Sequence, residues 1–206
     1  MAQPTQAAPL PTPSLEGLTM PRIGIIVGST ASNSINRKVA NVLPTLVNDD
    51  VEFTFLDIAD LPLYNYELDG NWPEVATEFK NSVEAVDGVI IVTPEYSRSI
   101  PGALKNALDW ASRPWGQNSF TRKPVAIMGA SIGSTGTAMA QQHLRNILGH
   151  FDSPTLGQPE TFFHFSADAF GADGSLQDEA QLAVLRNFAE AAVAHIESHA
   201  HSAAAV

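Results

Sequence analysis

The sequence predicts an α/β protein built on one five-stranded parallel sheet with helices on both faces. Three observations predict it. Short β-branched runs recur from Arg22 onward, stretches with helical spacing separate them, and the runs are nearly continuous in apolar residues rather than alternating, as in strands covered on both faces. The runs are RIGIIVG at 22–28, VEFTFLDI at 51–58, GVIIVTP at 88–94, PVAIMGAS at 124–131 and a weaker TFFHFSAD at 161–168.

Between the first two runs, Ile35, Val39, Val42, Leu43 and Leu46 mark one apolar helical face. Pro44 interrupts it. An interior proline costs about 3 kcal/mol, which predicts a kink or an early end there. After the third run, Pro101 supplies a fixed φ suited to the first position of a helix running through ALKNALDWAS. The last helix is expected from near Ser175, where Ser-x-x-Asp178 resembles a capping box, and it buries Leu182, Leu185, Ala189, Ala192 and Ile196. No internal repeat or domain linker is visible.

The 206 residues, 44% of them hydrophobic, suit one globular domain with a real core. With 22 acidic against 11 basic residues the formal charge is -11, which opposes binding to a phosphate backbone or an anionic bilayer. No nucleic acid or membrane partner is therefore expected. Cysteine is absent, which excludes disulfides, thiol chemistry and cysteinyl metal centres, so any redox activity needs an external cofactor. No apolar run reaches the roughly 20 residues that cross a bilayer, and residues 1–20, with Pro4, Pro9, Pro11 and Pro13 and no Lys or Arg, fit neither a secretory signal nor a transit peptide. The expected organisation is a flexible extension at 1–20, one domain at 21–200 and a flexible tail at 201–206, in the cytoplasm.

Five strands with intervening helices permit the order 2-1-3-4-5, in which ligands sit beyond the carboxyl ends of the strands at the switch point. Function is therefore expected in the loops after strands 1, 3 and 4. The first, Gly28 to Asn36, is rich in hydroxyls and feeds a helix N-terminus, where free N–H groups favour an anion. It contains neither G-x-G-x-x-G nor a P-loop, and Ser32, Asn33 and Ser34 serve equally well as helix caps. The second, Thr93 to Pro101, is stiffened by prolines and offers backbone to a flat ring. An ordinary connection with Tyr96 in the core is the simpler explanation of its composition. The third, Gly129 to Thr137, is dense in small residues, as tight turns or close backbone approaches require.

These segments resemble the NADPH-dependent FMN reductase family, flavodoxin-like enzymes that include quinone, azo-dye and chromate reductases. The sharpest match is PEYSRSIPGALKNALDWASRP, Pro94 to Pro114, against a family pattern P-E-Y-N-x-S-x-P-G-x-L-K-N-A-x-D-W; GASIGSTGTAMAQQHLRNIL and ADAFGADGSLQDE extend it. The resemblance covers about Arg22 to Ser198 and implies a flavodoxin-like doubly wound fold. It places Ser29, Ser34, Ile35 and Asn36 at the FMN phosphate, Pro94, Glu95, Tyr96 and Ser97 beside the isoalloxazine, and Ser131, Ile132 and Gly133 near its other edge. Glu95 is expected to act partly through its backbone.

The implied activity is hydride transfer from NAD(P)H to flavin N5, then two electrons to a small acceptor such as a quinone, free flavin, azo compound or metal oxyanion. Flavin carries the chemistry, so no side chain is assigned as acid or base and no metal is expected. Tyr96 and Trp110 are candidates for the acceptor pocket, Trp110 fitting the core or an interface better; Arg98 is a candidate for a nucleotide 2′-phosphate, though an exposed loop arginine is ordinarily just solvated. The alternative is a flavodoxin-type electron carrier reduced by a partner protein. Family members are commonly homodimers or homotetramers, with the helix of Lys105 and Trp110 near the interface.

Three departures matter: Ala31 and Met139 stand where the family often has Arg, and Ser97 where it often has Asn. A charge-assisted hydrogen bond contributes ~1.5–3 kcal/mol against ~0.3–1 for a helix terminus, so the missing arginine at 31 predicts FMN binding roughly 10- to 100-fold weaker. Arg37, Lys38 or neutral donors alone are the available substitutes. The pair His195 and His199 has zinc-like spacing, but its Glu is misplaced for H-E-x-x-H, and a solvated helix end explains it better.

Overall fold

The computed structural model describes residues 20–203. The expected N-terminal extension lies outside these residues except for Met20. Five strands, β1 (Arg22–Val27), β2 (Glu52–Phe55), β3 (Gly88–Val92), β4 (Val125–Ser131) and β5 (Thr161–His164), form one parallel sheet in the order β2-β1-β3-β4-β5. This is the expected order. Five helices accompany them: α1 (Ile35–Val42), α2 (Glu74–Ala85), α3 (Gly102–Ala111), α4 (Ala138–His150) and α5 (Glu179–Ala203).

The inner strands β1, β3 and β4 are buried almost end to end, which is why they read as unbroken apolar runs. The core is split by the sheet. On one face, Ile23, Ile25, Ile90 and Met128 meet Val39 and Ala40 of α1 and Leu185, Phe188, Ala192 and Ile196 of α5. On the other, Ile26, Val89, Ile91 and Ile127 meet Phe79 and Val83 of α2, Leu104 and Trp110 of α3, and Leu144 of α4. Helices therefore cover both faces, as a doubly wound topology requires.

Pro44 acts as expected. α1 stops at Val42 and the chain continues as a 3-10 turn over Leu43–Leu46 with proline at its start. Pro101 sits one residue before its helix, as the N-cap of α3 rather than its first residue. The last helix begins later than expected. Its cap is Asp178, whose Oδ1 accepts from the Gln181 amide at 2.9 Å, while the Ser175 hydroxyl donates instead to Asp173 at 2.6 Å. Ser175 thus belongs to a tight turn around Gly174 (φ 83°) and forms no capping box. α5 buries Leu185, Ala189, Ala192 and Ile196, leaves Leu182 half-buried, and continues to Ala203.

Parallel register aligns the carboxyl ends of the inner strands: Val27 pairs with Val92, and Val92 with Met128. The three loops singled out above consequently leave the sheet at one edge, on either side of the β1–β3 switch point.

Candidate flavin site at the carboxyl edge of the sheet

Ser34 is the N-cap of α1, and its Oγ accepts from the Arg37 amide at 3.2 Å. The Lys38 amide donates to the Ser34 carbonyl at 3.1 Å. Ile35 and Asn36, the first two residues of the helix, have amides with no acceptor inside it. The Ser29 hydroxyl accepts from the Ala31 amide at 3.4 Å, a contact within the loop. The Ser34 hydroxyl closes the helix, while the Ile35 and Asn36 amides keep no acceptor within it, at the positive end of the dipole.

Asn36 is fully buried. Its amide donates to the Ala130 carbonyl at 3.0 Å and accepts from the Ala130 amide at 2.9 Å, so the side chain ties α1 to β4 and leaves only its backbone for a ligand. Arg37 lies over the Phe55 ring, 4.4 Å from its centroid. That cation is engaged at β2, and the exposed Lys38 is the other charge available in this turn.

In the second loop, Tyr96 and Ser99 exchange both backbone hydrogen bonds, at 2.9 and 3.0 Å, around Ser97 (φ 50°) and Arg98 (φ 65°). Two successive left-handed residues give a turn of the I′ kind, in which Asn and Gly are favoured and serine is strained. The family's Asn at this position thus has a backbone cause. Ser97→Asn is expected to stabilise the fold by about 0.5–1 kcal/mol, raising the thermal midpoint by about 1–4 °C. An unchanged midpoint would count against strain in the turn. Tyr96 is 54% exposed at the rim, and is no core residue.

The Glu95 carboxylate turns the other way. Its side chain is 10% exposed, and Oε2 accepts from the Met139 and Ala140 amides at 3.0 and 3.1 Å, capping α4 from 44 residues away. Arg98 comes within 3.8 Å of Glu95 Oε1 and 3.9 Å of Met139 Sδ. A guanidinium therefore reaches the neighbourhood of position 139 from the turn. His143 meets the Ser99 hydroxyl at 2.9 Å.

The third loop packs tightly at its base. A Cβ on Gly129 would lie 2.2 Å from both Thr137 Oγ1 and the Thr93 carbonyl, so only glycine lets β3, β4 and the start of α4 converge. Gln141, which ties Thr137 to the Thr161 carbonyl of β5, escaped the sequence reading because that second contact spans 20 residues. Ser131 Oγ accepts from the Gly133 amide at 3.0 Å, and Ile132 is 75% exposed at the tip. Exposed Tyr96 and Ile132 each hold an apolar surface to solvent on a separate loop, and the open amides sit on the third. That set of donors and surfaces fits a flat ring with an anionic tail.

Trp110 is buried, stacked edge-on by Tyr64 and Trp72, with its Nε1 donating to the Pro62 carbonyl at 2.7 Å, so it belongs to the core and leaves Lys105, paired with Asp109, at the surface. His195 and His199 face each other with centroids 4.4 Å apart, but each aims a ring nitrogen at a backbone carbonyl. Burial pushes the Lys123 ammonium and the His195 imidazole below their ordinary values, and both lie toward the opposite edge of the sheet. Among the described residues, no helix is long and apolar enough to cross a membrane. A cavity of about 420 Å³ lies beyond β5, lined by Asp168, Asp178, Gln177 and Gln181; its carboxylates do not suit a phosphate.

The model of the NADPH-dependent FMN reductase family matches residues 21–168. The chain belongs to that family. It is similar to a 2-hydroxy-1,4-benzoquinone reductase of a Burkholderia species, 45% identical over 167 residues that span 81% of this chain and 91% of the relative. An NAD(P)H-dependent FMN reductase of Pseudomonas aeruginosa is 40% identical over 75% of this chain and 83% of its own. Among solved structures, the flavoenzyme NAD(P)H:acceptor oxidoreductase FerB from Paracoccus denitrificans matches with a TM-score of 0.83 and 42% identity, covering 87% of this chain and 98% of that one. The chain is accordingly an oxidoreductase with FMN as cofactor and NAD(P)H as co-substrate, and these relationships favour the enzyme over the electron carrier.

Proposed function

We propose that the chain, through a domain spanning 21–200, reduces small quinone-type acceptors with electrons from NAD(P)H. Ser29, Ser34 and the amides of Ile35 and Asn36 hold the FMN phosphate, while Pro94, Glu95, Tyr96 and Ser97 line one side of the ring and Ser131, Ile132 and Gly133 the other. The convergence of these three loops at one sheet edge carries the reading. The printed name of the Burkholderia relative supports a quinone as acceptor.

Bound FMN would supply the two-electron chemistry that links a nicotinamide hydride to the acceptor. The chain's part is placement. Amides at the start of α1 anchor the tail, backbone at 94–97 orients the ring, and exposed Tyr96 borders the face on which nucleotide and acceptor stack in turn. No side chain here is positioned as an acid or base.

The test is anaerobic. NADH or NADPH is expected to bleach the visible absorbance of FMN-loaded protein, and an added quinone to restore it; loaded protein that stays oxidised would return the carrier reading. With Arg37 engaged on Phe55, the phosphate is left largely to neutral donors. Ala31→Arg is therefore expected to tighten FMN by roughly 10- to 100-fold in a fluorescence titration. No gain would mean that position 31 points away from the phosphate.

A homodimer or homotetramer in the cytoplasm completes the proposal. Exposed Leu63, Tyr66 and Trp115 support association, being large apolar side chains left open beside α3.

A further inference from the structure

We propose that the Glu95 carboxylate is a positioning residue that locks the segment beside the flavin ring to the start of α4, so that the second and third loops hold the ring as one body. The inference rests on the FMN reading above and adds a role for a side chain that does not face the ring.

Four observations carry it. The carboxylate is nine-tenths buried, and one oxygen takes two amides at the start of α4, Met139 at 3.0 Å and Ala140 at 3.1 Å. Those amides need an acceptor from outside the helix. Thr137, the residue placed to cap them locally, makes no cap bond; its hydroxyl accepts from Gln141 Nε2 at 2.9 Å, and Gln141 in turn donates to the Thr161 carbonyl at 2.8 Å. The cap therefore comes from the neighbouring loop. Finally, the Thr93 carbonyl and Thr137 converge on Gly129 with no room for a methyl, so β3, β4 and α4 are already in contact just beneath the Glu95 bridge.

A helix needing only a cap would be served by its own first residues. A carboxylate reaching across from the flavin segment also fixes that segment's distance from α4. With Glu95 turned inward, the backbone from Pro94 to Ser97 has one permitted height against the ring, and Tyr96 remains outside at the rim. Two amides held by one oxygen at the end of a side chain of this reach fix the spacing against loop motion.

The proposal is tested with Glu95→Gln, Glu95→Asp and Glu95→Ala, each loaded with FMN and compared with the unsubstituted protein. Measurements are FMN affinity, the visible spectrum of the bound flavin, the thermal midpoint of the apoprotein, and hydrogen exchange of the 138–140 amides. Gln keeps the reach and an acceptor, and is expected within about threefold of the original affinity; Ala is expected to lose about tenfold or more, with a shifted spectrum and faster exchange. Asp keeps the charge but falls one methylene short, so it is expected to lie between them. If Ala does not fold, the order of Gln and Asp decides.

Affinity and spectrum unchanged in Ala and Asp while the thermal midpoint falls would overturn the proposal, leaving Glu95 a helix cap alone. Asp matching the original protein while Gln weakens would also overturn it, because charge rather than reach would then matter. Unsubstituted protein that takes up no FMN would overturn the flavin reading, and this proposal with it; unsubstituted protein that binds FMN while all three variants bind alike overturns this proposal only.

Discussion

Ser34→Asp is expected to weaken FMN binding by about 30- to 1,000-fold while the protein stays folded. Aspartate is as good an N-cap as serine, so the Arg37 amide keeps its acceptor and α1 keeps its start. What changes is the charge beside the two open amides. A carboxylate about 4 Å from a phosphate oxygen, at an effective dielectric near 20, opposes the ligand by about 2–4 kcal/mol, which gives that range of affinity. Salt should narrow the effect as it screens the two charges. A titration of flavin fluorescence at low and moderate salt reads both. Equal affinity in the two proteins, with an unaltered thermal midpoint, would remove the start of α1 from the site.

Gly129→Ala is expected to cost about 3 kcal/mol and to lower the thermal midpoint by about 6–12 °C. The added methyl would lie 2.2 Å from Thr137 Oγ1 and 2.2 Å from the Thr93 carbonyl. Neither can yield easily. The Thr93 amide is pinned to the Met128 carbonyl at 2.9 Å, and the Thr137 hydroxyl is held by Gln141. Relief requires β3 and the start of α4 to separate, which would also spread the second and third loops, so FMN affinity should fall with stability. A midpoint within about 2 °C of the original would show that the backbone here is softer than its packing suggests.

Much of the architecture was legible because the inner strands are covered on both faces, so β1, β3 and β4 announce themselves as apolar runs without alternation. Pro44 marked the end of α1 for a local reason, its missing N–H. The start of α5 was misread for an equally local one. Ser175 and Asp178 both look like caps in one dimension, and only the turn at Gly174, which hands the Ser175 hydroxyl to Asp173, shows that Asp178 is the one.

In the site, the loops were legible and their wiring was not. Asn36 reads as one more polar residue near a phosphate, yet its amide is consumed by Ala130, 94 residues later. Glu95 reads as part of a motif, yet its carboxylate serves a helix 44 residues downstream. Such pairings depend on which strands become neighbours, and no local pattern encodes them. Tyr96 shows the reverse case: composition favoured burial, but the two-residue turn that follows it points the ring outward.

The outermost strands are only four residues long, β2 on one side and β5 on the other. Each spans roughly 13 Å and leaves a brief row of unsatisfied amides and carbonyls along its free margin. A stranger's backbone finds little there to zip onto.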